Sequence, residues 1–538
     1  MKLSNKGIEN RQEWETQGFE LPHYDREIIK RKTLEAPTWL HFGAGNIFRG
    51  FTAACHQTLL NEGKADTGII VAEGYDYELI DRAYKPYDDL SLLVILKADG
   101  STEKKVIGSV VESLKADSNN EKDWNTLKEL FKKPSLQMVS FTITEKGYSL
   151  KQNNGDYFGI VEKDFEKGPS EPQYFMGKLT ALCYERYLNG KKPIALVSMD
   201  NCSHNGTKLY EAVSTYAKVW AEKGLVEADF VNYINNPECI SFPWSMIDKI
   251  TPRPDASVKA DLERLGFEDT DIICTDKNTY TAPFVNAEAP QYLVIEDLFP
   301  NGRPCLEEAG VIFTDRKTVD KVEKMKVCTC LNPLHTALAV YGCLLSHTLI
   351  YEEMRDPLLK NFIEKLAYEE GIKVVVDPGI IRPSDFIKEV IEVRFPNPFM
   401  PDAPQRIATD TSQKLPIRFG ETIKAYAARE DLEVADLKLV PLVLAGWCRY
   451  LLGVNDEGEQ FEISPDPMLE VVSKYLEGIK LGAKGPFTHQ LKPILSDKTL
   501  FGVDLYEVGL GEKVEGYFEE LVAGIGAVKR TLAKYTAE

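Results

Sequence analysis

Histidine is scarce in this chain. Seven are spread over 538 residues (His23, His41, His56, His204, His335, His347, His489), with no HxH, HxxxH or HExxH array. The common zinc sites need such spacing, so no metal centre is expected. The ten cysteines lack a CxxC pair and lie in apolar segments such as Ala181-Leu182-Cys183 and Gly446-Trp447-Cys448. They read as reduced packing residues, Cys328 and Cys330 included. Positive charge is also short: 64 Lys and Arg against 83 Asp and Glu leave a net charge of −19. That balance argues against nucleic acid or an anionic membrane as partner, and an anionic ligand would need a local basic cluster. No apolar run approaches the length of a membrane span. Met1-Lys2-Leu3-Ser4-Asn5-Lys6 leads into charged sequence without an apolar signal core, so a cytoplasmic protein is expected. Internal repeats and low-complexity tracts are missing too.

The chain is too long for one core, and two or three domains are expected. Residues 1–36 are polar and charged, a lead-in arm. Thr38-Trp39-Leu40-His41-Phe42 then reads as a strand that runs into Gly43-Ala44-Gly45-Asn46-Ile47-Phe48-Arg49. An apolar helix follows, with Phe51, Ala54, Cys55 and Leu59 on one face. A second strand, Gly68-Ile69-Ile70-Val71-Ala72, ends in Glu73. Strand, glycine turn, helix, strand, acid is the opening of a dinucleotide-binding βαβ unit. The glycines let backbone N–H groups approach a pyrophosphate, with Asn46 and Ile47 in the turn and Arg49 placed to touch a phosphate. An ordinary strand-to-helix turn would give the same pattern.

Further strands are expected over 91–96, 106–111, 136–144 and 193–199. The stretch 136–144 runs into Glu145-Lys146-Gly147-Tyr148, and 193–199 into Asp200-Asn201 and His204. Polar residues past the carboxyl end of a buried strand are where ligands sit in open α/β sheets. From about residue 306 helical periodicity dominates, which sets a boundary near 305. The fold class is α/β: a dinucleotide-binding domain over 37–305 and a mostly helical domain over 306–538.

The stretch most loaded with chemistry is Lys326-Val327-Cys328-Thr329-Cys330-Leu331-Asn332-Pro333-Leu334-His335. An apolar setting pushes a lysine toward the range of a general base. An asparagine amide can hold a developing alkoxide, and a histidine can steer a hydroxyl. Asn332-Pro333 reads as a helix N-cap followed by proline at the first helical position. A snorkelling lysine beside a capped helix with a core histidine fits the same residues. Downstream, Arg394-Phe395-Pro396-Asn397 precedes Arg406, with Lys414 across a polar turn. Two such cations are either solvated surface or a clamp for a carboxylate or a row of hydroxyls.

In this order the chain resembles the polyol-specific long-chain dehydrogenase/reductase family, the mannitol dehydrogenase family. The resemblance runs from about residue 37 to the C-terminus. It rests on Gly43-Ala44-Gly45-Asn46-Ile47-Phe48-Arg49, Thr142-Ile143-Thr144-Glu145, Asp200-Asn201 with Asn205-Gly206, and Phe242-Pro243 through Asp248. Glu323 with Lys326, Leu331-Asn332 with His335, Arg406 with Lys414, and Trp447 through Gly453 complete it. It implies a Rossmann-type domain for NAD(P) and a helical domain carrying a catalytic lysine. Lys326 would be the general acid/base. Asn201 and Asn332 would polarise the carbonyl, and His335 would orient the substrate. Arg406 and Lys414 would bind its far hydroxyls or carboxylate. Glu323 would tune the lysine, while Asp248 and Glu145 would lie near the cofactor. One departure stands out. The family's Lys-x-x-x-x-Asn step carries one more residue here, and each residue turns a helix by about 100°. A bulge of the kind found at functional sites is expected to absorb it.

The resemblance implies a metal-free interconversion of a sugar-derived ketone and alcohol. D-fructuronate with D-mannonate comes first, then mannitol with fructose, then tagaturonate. A non-catalytic NAD- or sugar-binding protein is the reading from another class, supported by the extra residue. A monomer and a homodimer suit the sequence equally. Glu73 can accept from a ribose 2′-OH and repel a 2′-phosphate, whereas Arg82 and Lys85 would suit NADP. The expectation is NAD. A fluorescence titration should show NADH binding more tightly than NADPH, and the reverse order would overturn this reading.

Overall fold

The structure is a computed structural model that describes residues 1–537. It divides into two compact units, one of residues 1–96 and 101–320, the other of 97–100 and 321–538.

The first unit is built on six strands: β1 (Trp39–Phe42), β2 (Ile69–Glu73), β3 (Val110–Lys115), β4 (Met138–Phe141), β5 (Ile194–Ser198) and β6 (Ile240–Ser241). Their order across the sheet is β3-β2-β1-β4-β5-β6, and every pairing is parallel. This is the doubly wound order whose direction reverses between β1 and β4, the place where such sheets bind ligands. Alternation along the strands covers both faces. Leu40, Ile70, Val139 and Leu196 enter one core, and Trp39, Val71, Met138 and Val197 enter the other. Residues buried on both sides give apolar runs rather than a polar alternation, which is why these strands are legible in the sequence.

Four features depart from expectation. The stretch 106–111 is the end of one strand, Thr102–Ile107, and the start of β3, which lie in different sheets. The lead-in arm is built into the unit: Phe19–Glu20 pairs with Thr102–Ile107, and Trp14 is buried. A further three-stranded sheet joins Ser245–Asp248, Tyr292–Glu296 and Ile312–Thr314. The second unit begins inside the helix Arg316–Met325 rather than near 305.

In the second unit the helix Leu439–Tyr450 is buried at every residue and packs on Asn332–Leu344 and Gly511–Val522. Gly446 permits this contact, since a Cβ there would lie 2.7 Å from the Tyr341 ring, and Tyr341 Oη donates to Leu442 O at 2.7 Å. The stretch Arg316–Leu344 is helical for 29 residues and is long and apolar enough to span a membrane, against the expectation from sequence. Its apolar window is 78% buried, as in a core helix.

Glu353 lies against the same helix. A Cβ at Gly342 would stand 1.9 Å from its Oε1, and neither carboxylate oxygen has a hydrogen-bond partner. Burial holds this carboxyl well above the usual range. The folded state therefore binds its proton more tightly than the unfolded chain. The stability it contributes is full below about pH 4.5 and is lost as pH rises through the folded value. The melting temperature of Glu353→Gln relative to the parent protein should thus rise from pH 5 to pH 8. A difference that does not change with pH would contradict this.

Candidate active site

In the first unit the loops at the carboxyl ends of β1, β4 and β5 form one polar rim. Gly43 leaves β1 at φ +109°, and a Cβ there would lie 2.1 Å from Thr142 O, so only glycine fits beside the β4 loop. A Cβ on Gly45 would meet nothing within 4 Å, which leaves the turn open above it. Glu73, at the end of β2, is buried. Its Oε2 accepts from Ala44 N at 2.7 Å and its Oε1 from Tyr75 N at 2.8 Å and Asp76 N at 3.1 Å. The acid expected to meet a ribose therefore braces the glycine turn with both oxygens, and burial raises its pKa.

Arg49 departs further from expectation. It is 1% exposed, with Nη1 on Ala282 O at 2.8 Å and Nη2 on Asn46 Oδ1 at 2.9 Å and Thr281 Oγ1. A widened turn, Phe48–Thr52, carries the guanidinium inward, where it ties the glycine turn to the segment around residue 281 instead of reaching a phosphate. Ile47 immediately precedes that turn.

Asn201 is exposed just past β5. The residue before it does the positioning. Asp200 accepts from Ile143 N at 2.9 Å, Thr144 N at 2.8 Å and the Tyr148 hydroxyl. These bonds hold Thr144 at φ +66°, a left-handed conformation costly for a β-branched residue. Asn205 Nδ2 donates to Asp200 O and Ser245 O, both at 3.0 Å, and so closes the loop from the other side. Asp200, Tyr148 and Asn205 escape a reading for catalytic types, although Asp200-Asn201 and Asn205 are adjacent in the motif. Glu145 is 64% exposed and pairs with Lys208, a surface ion pair of little energetic weight. His204 stacks on Trp244 and lies 3.1 Å from Asp320. Asp248 is buried at the end of its strand, opposite Tyr292.

In the second unit Lys326 is 3% exposed and opens a widened helical turn, Lys326–Cys330. Leu331 N–H donates to Lys326 O at 3.1 Å, a bond over five residues rather than four. The extra residue is absorbed there, and a regular helix resumes at Asn332. Asn332 is its first residue, not its cap. Its carbonyl accepts from Thr336 Oγ1 at 3.0 Å, and among the described residues its side-chain amide makes no hydrogen bond. His335 follows one turn on, its side chain 18% exposed and its ring 5.2 Å from Phe395. Glu323 lies one turn before Lys326 and is partly buried.

A basic cluster surrounds His335. Burial first, then Arg418, Arg406, Arg394 and Lys414, push its pKa down to about 3. The imidazole is therefore neutral, and its Nε2, 3.3 Å from Asp402 Oδ2, makes no hydrogen bond. Arg406 is 64% exposed and pairs with Asp402. Lys414 Nζ donates to Ile407 O at 2.9 Å and to Thr409 O. Burial and the neighbouring Arg418 lower its pKa to about 8. Sequence reasoning singled out Arg406 and Lys414 but passed over Arg418, one turn beyond Lys414 at the spacing that shares a helix face. It also quoted Arg394 without a role. Arg394 and Arg418 both lie on widened turns, Val390–Arg394 and Pro416–Gly420, and the second packs on Lys326–Cys330.

Comparison with known proteins follows the same two units. Residues 37–308 match the mannitol dehydrogenase Rossmann domain and residues 318–522 the mannitol dehydrogenase C-terminal domain. The chain is 55% identical over 534 residues to a D-mannonate oxidoreductase of Thermotoga maritima, covering 99% of this chain and 98% of that one. The mannitol 2-dehydrogenase of Pseudomonas fluorescens, solved as a ternary complex with NAD and D-mannitol, aligns over 100% of both chains at 26% identity and a TM-score of 0.70. A D-sorbitol dehydrogenase in substrate-free form aligns at 25% identity and a TM-score of 0.78, covering 95% of this chain and 97% of that one.

The titration of the cluster is open to test. Lys414 gives up its proton near pH 8, so a sugar-acid anion held there should bind progressively more weakly from pH 7 to pH 9. His335 should contribute no break near pH 6. Isothermal titration with a sugar acid across this range checks both, and affinity that is flat to pH 9 would contradict the account.

Proposed function

Because this chain belongs to the mannitol dehydrogenase family, we propose that it is an NAD-dependent secondary-alcohol dehydrogenase that interconverts D-fructuronate and D-mannonate. The observation that carries this reading is the 55% identity, over nearly its whole length, to a protein named D-mannonate oxidoreductase. The basic cluster around His335 supports an acid substrate over a neutral polyol, because four cations, three of them buried or half-buried, in a chain of net charge −19 favour an anion. That observation weighs against the mannitol 2-dehydrogenase alternative and leaves tagaturonate reduction as the runner-up. A non-catalytic binding protein loses its main support, since the surplus residue beside Lys326 is taken up by the widened turn.

The first unit suits a dinucleotide. The reversal between β1 and β4, the close approach of Gly43 to Thr142 O and the open space above Gly45 make a cradle for its phosphates. Gly43, Gly45, Asn46 and Ile47 are assigned to it, with Glu73 bracing the turn and Asp248 and Glu145 further out. When bound, NAD supplies the hydride acceptor, and NADH the donor.

The chain's own residues handle the proton and the oxygen. In oxidation Lys326, as the free amine, takes the proton from the substrate hydroxyl; in reduction its ammonium returns that proton to the alkoxide oxygen. Asn332 donates its amide N–H to that oxygen, where charge develops, and Asn201 is kept as a candidate donor on the first unit. Removing one such donor costs about 10²–10³ in rate in other enzymes. His335, neutral, orients a neighbouring hydroxyl, and Glu323 serves the lysine as a proton relay. Arg406 and Lys414 bind the substrate beyond the reacting carbon. Proton transfer is assigned to the lysine, with no metal. We place the protein in the cytoplasm, as a monomer or homodimer.

Absorbance at 340 nm with NAD and D-mannonate, D-mannitol and D-altronate tests the substrate. Turnover fastest on D-mannonate is expected, and preference for either competitor would reassign it. Lys326→Ala should abolish turnover while NADH still binds; retained turnover would move the proton chemistry elsewhere.

A further inference from the structure

The neighbours of Arg418 differ from those of the other three cations. Arg406 has Asp402 as an ion-pair partner. Lys414 feels the attraction of Asp410 and Asp466 and bonds two backbone carbonyls. Arg394 is buried and has partners of its own. Arg418 bonds through a single nitrogen: Nη1 donates to Thr336 Oγ1 and, at 3.4 Å, to Asn332 O. Among the described residues its Nε and Nη2 carry no hydrogen bond, and no carboxylate offsets its burial, which lowers its pKa to about 10.

The two groups Arg418 does touch belong to the first turn of Asn332–Leu344, whose N-terminal end is itself electropositive. A guanidinium held there by one nitrogen presents its Nε–Nη2 edge as a ready fork. That edge matches the two oxygens of a carboxylate in a way a lysine cannot. The same turn carries Asn332 and His335, so a substrate that meets those two side chains has Arg418 beside it.

We propose that Arg418 is the specificity-determining residue that grips the substrate carboxylate, so that the second unit selects sugar acids over neutral polyols. The assignment rests on the proposed oxidation of a sugar acid and adds to it the group that reads the acid. Arg406 and Lys414 then serve the hydroxyls between the carboxylate and the reacting carbon. A salt bridge of this kind is felt equally before and during hydride transfer, so its loss appears in KM and not in kcat.

The test is steady-state kinetics of Arg418→Met and Arg418→Lys with NAD and D-mannonate. Arg418→Met should raise KM by roughly 10- to 100-fold, the range for a charge-assisted contact, with kcat within a few-fold of the parent. Arg418→Lys, which keeps the charge without the fork, should fall between. Free guanidinium added to Arg418→Met should restore part of the affinity. An unchanged KM in both variants overturns the proposal. A fall in kcat at constant KM also overturns it, because it marks Arg418 as a strut for the Asn332 turn. If the parent protein does not oxidise D-mannonate, the broader functional reading fails instead, and the two failures are told apart by that control.

Discussion

An ammonium taken out of water costs several kcal/mol unless polar groups answer it. A helix, in turn, accepts one surplus residue only by widening a turn. Both constraints meet at Lys326, which is 3% exposed and opens the turn whose closing bond runs from Leu331 N–H to Lys326 O. A regular turn would rotate the lysine by about 100° relative to Asn332 and His335. The widened one confines the mismatch to five residues and lets Asn332 start a fresh helix with its amide unspent.

The same device recurs around the cluster. Arg394 and Arg418 also lie on widened turns, and Pro416–Gly420 packs against Lys326–Cys330. Such turns change which way a side chain faces without ending the helix, so cations can converge on His335 from separate helices. The cost is electrostatic. The imidazole is driven neutral and Lys414 down toward pH 8, so the cluster is most comfortable when an anion joins it. In a chain with a net charge of −19 this local reversal of sign favours an anion where the bulk field would repel one.

Much of this is visible in the order of residues. The parallel strands are buried on both faces and read as apolar runs, and Gly43 announces a turn only glycine can make. Lys326, Asn332 and His335 stand in one short stretch, and the surplus residue between the first two points to a bulge. What stays hidden depends on distant partners. Arg49 reads as a phosphate ligand because it follows a glycine turn, yet its guanidinium is claimed by Ala282 and Thr281, more than two hundred residues away. Glu73 reads as a ribose acceptor, and its oxygens turn out to brace Ala44, Tyr75 and Asp76. Asn332 looks like a cap because proline follows it, while the backbone bends one residue earlier, at Leu331. Arg418 sits one turn past Lys414 in a sequence rich in charge, where nothing local separates it from a solvated cation.

The central claim is that one buried amine carries the proton, and amine rescue of Lys326→Ala tests it most directly. Small primary amines of graded basicity, added to that variant with D-mannonate and NAD, should restore turnover in proportion to free-base concentration and increasingly with amine pKa. Failure of every amine to restore turnover, in a variant that still binds NADH, would contradict the account.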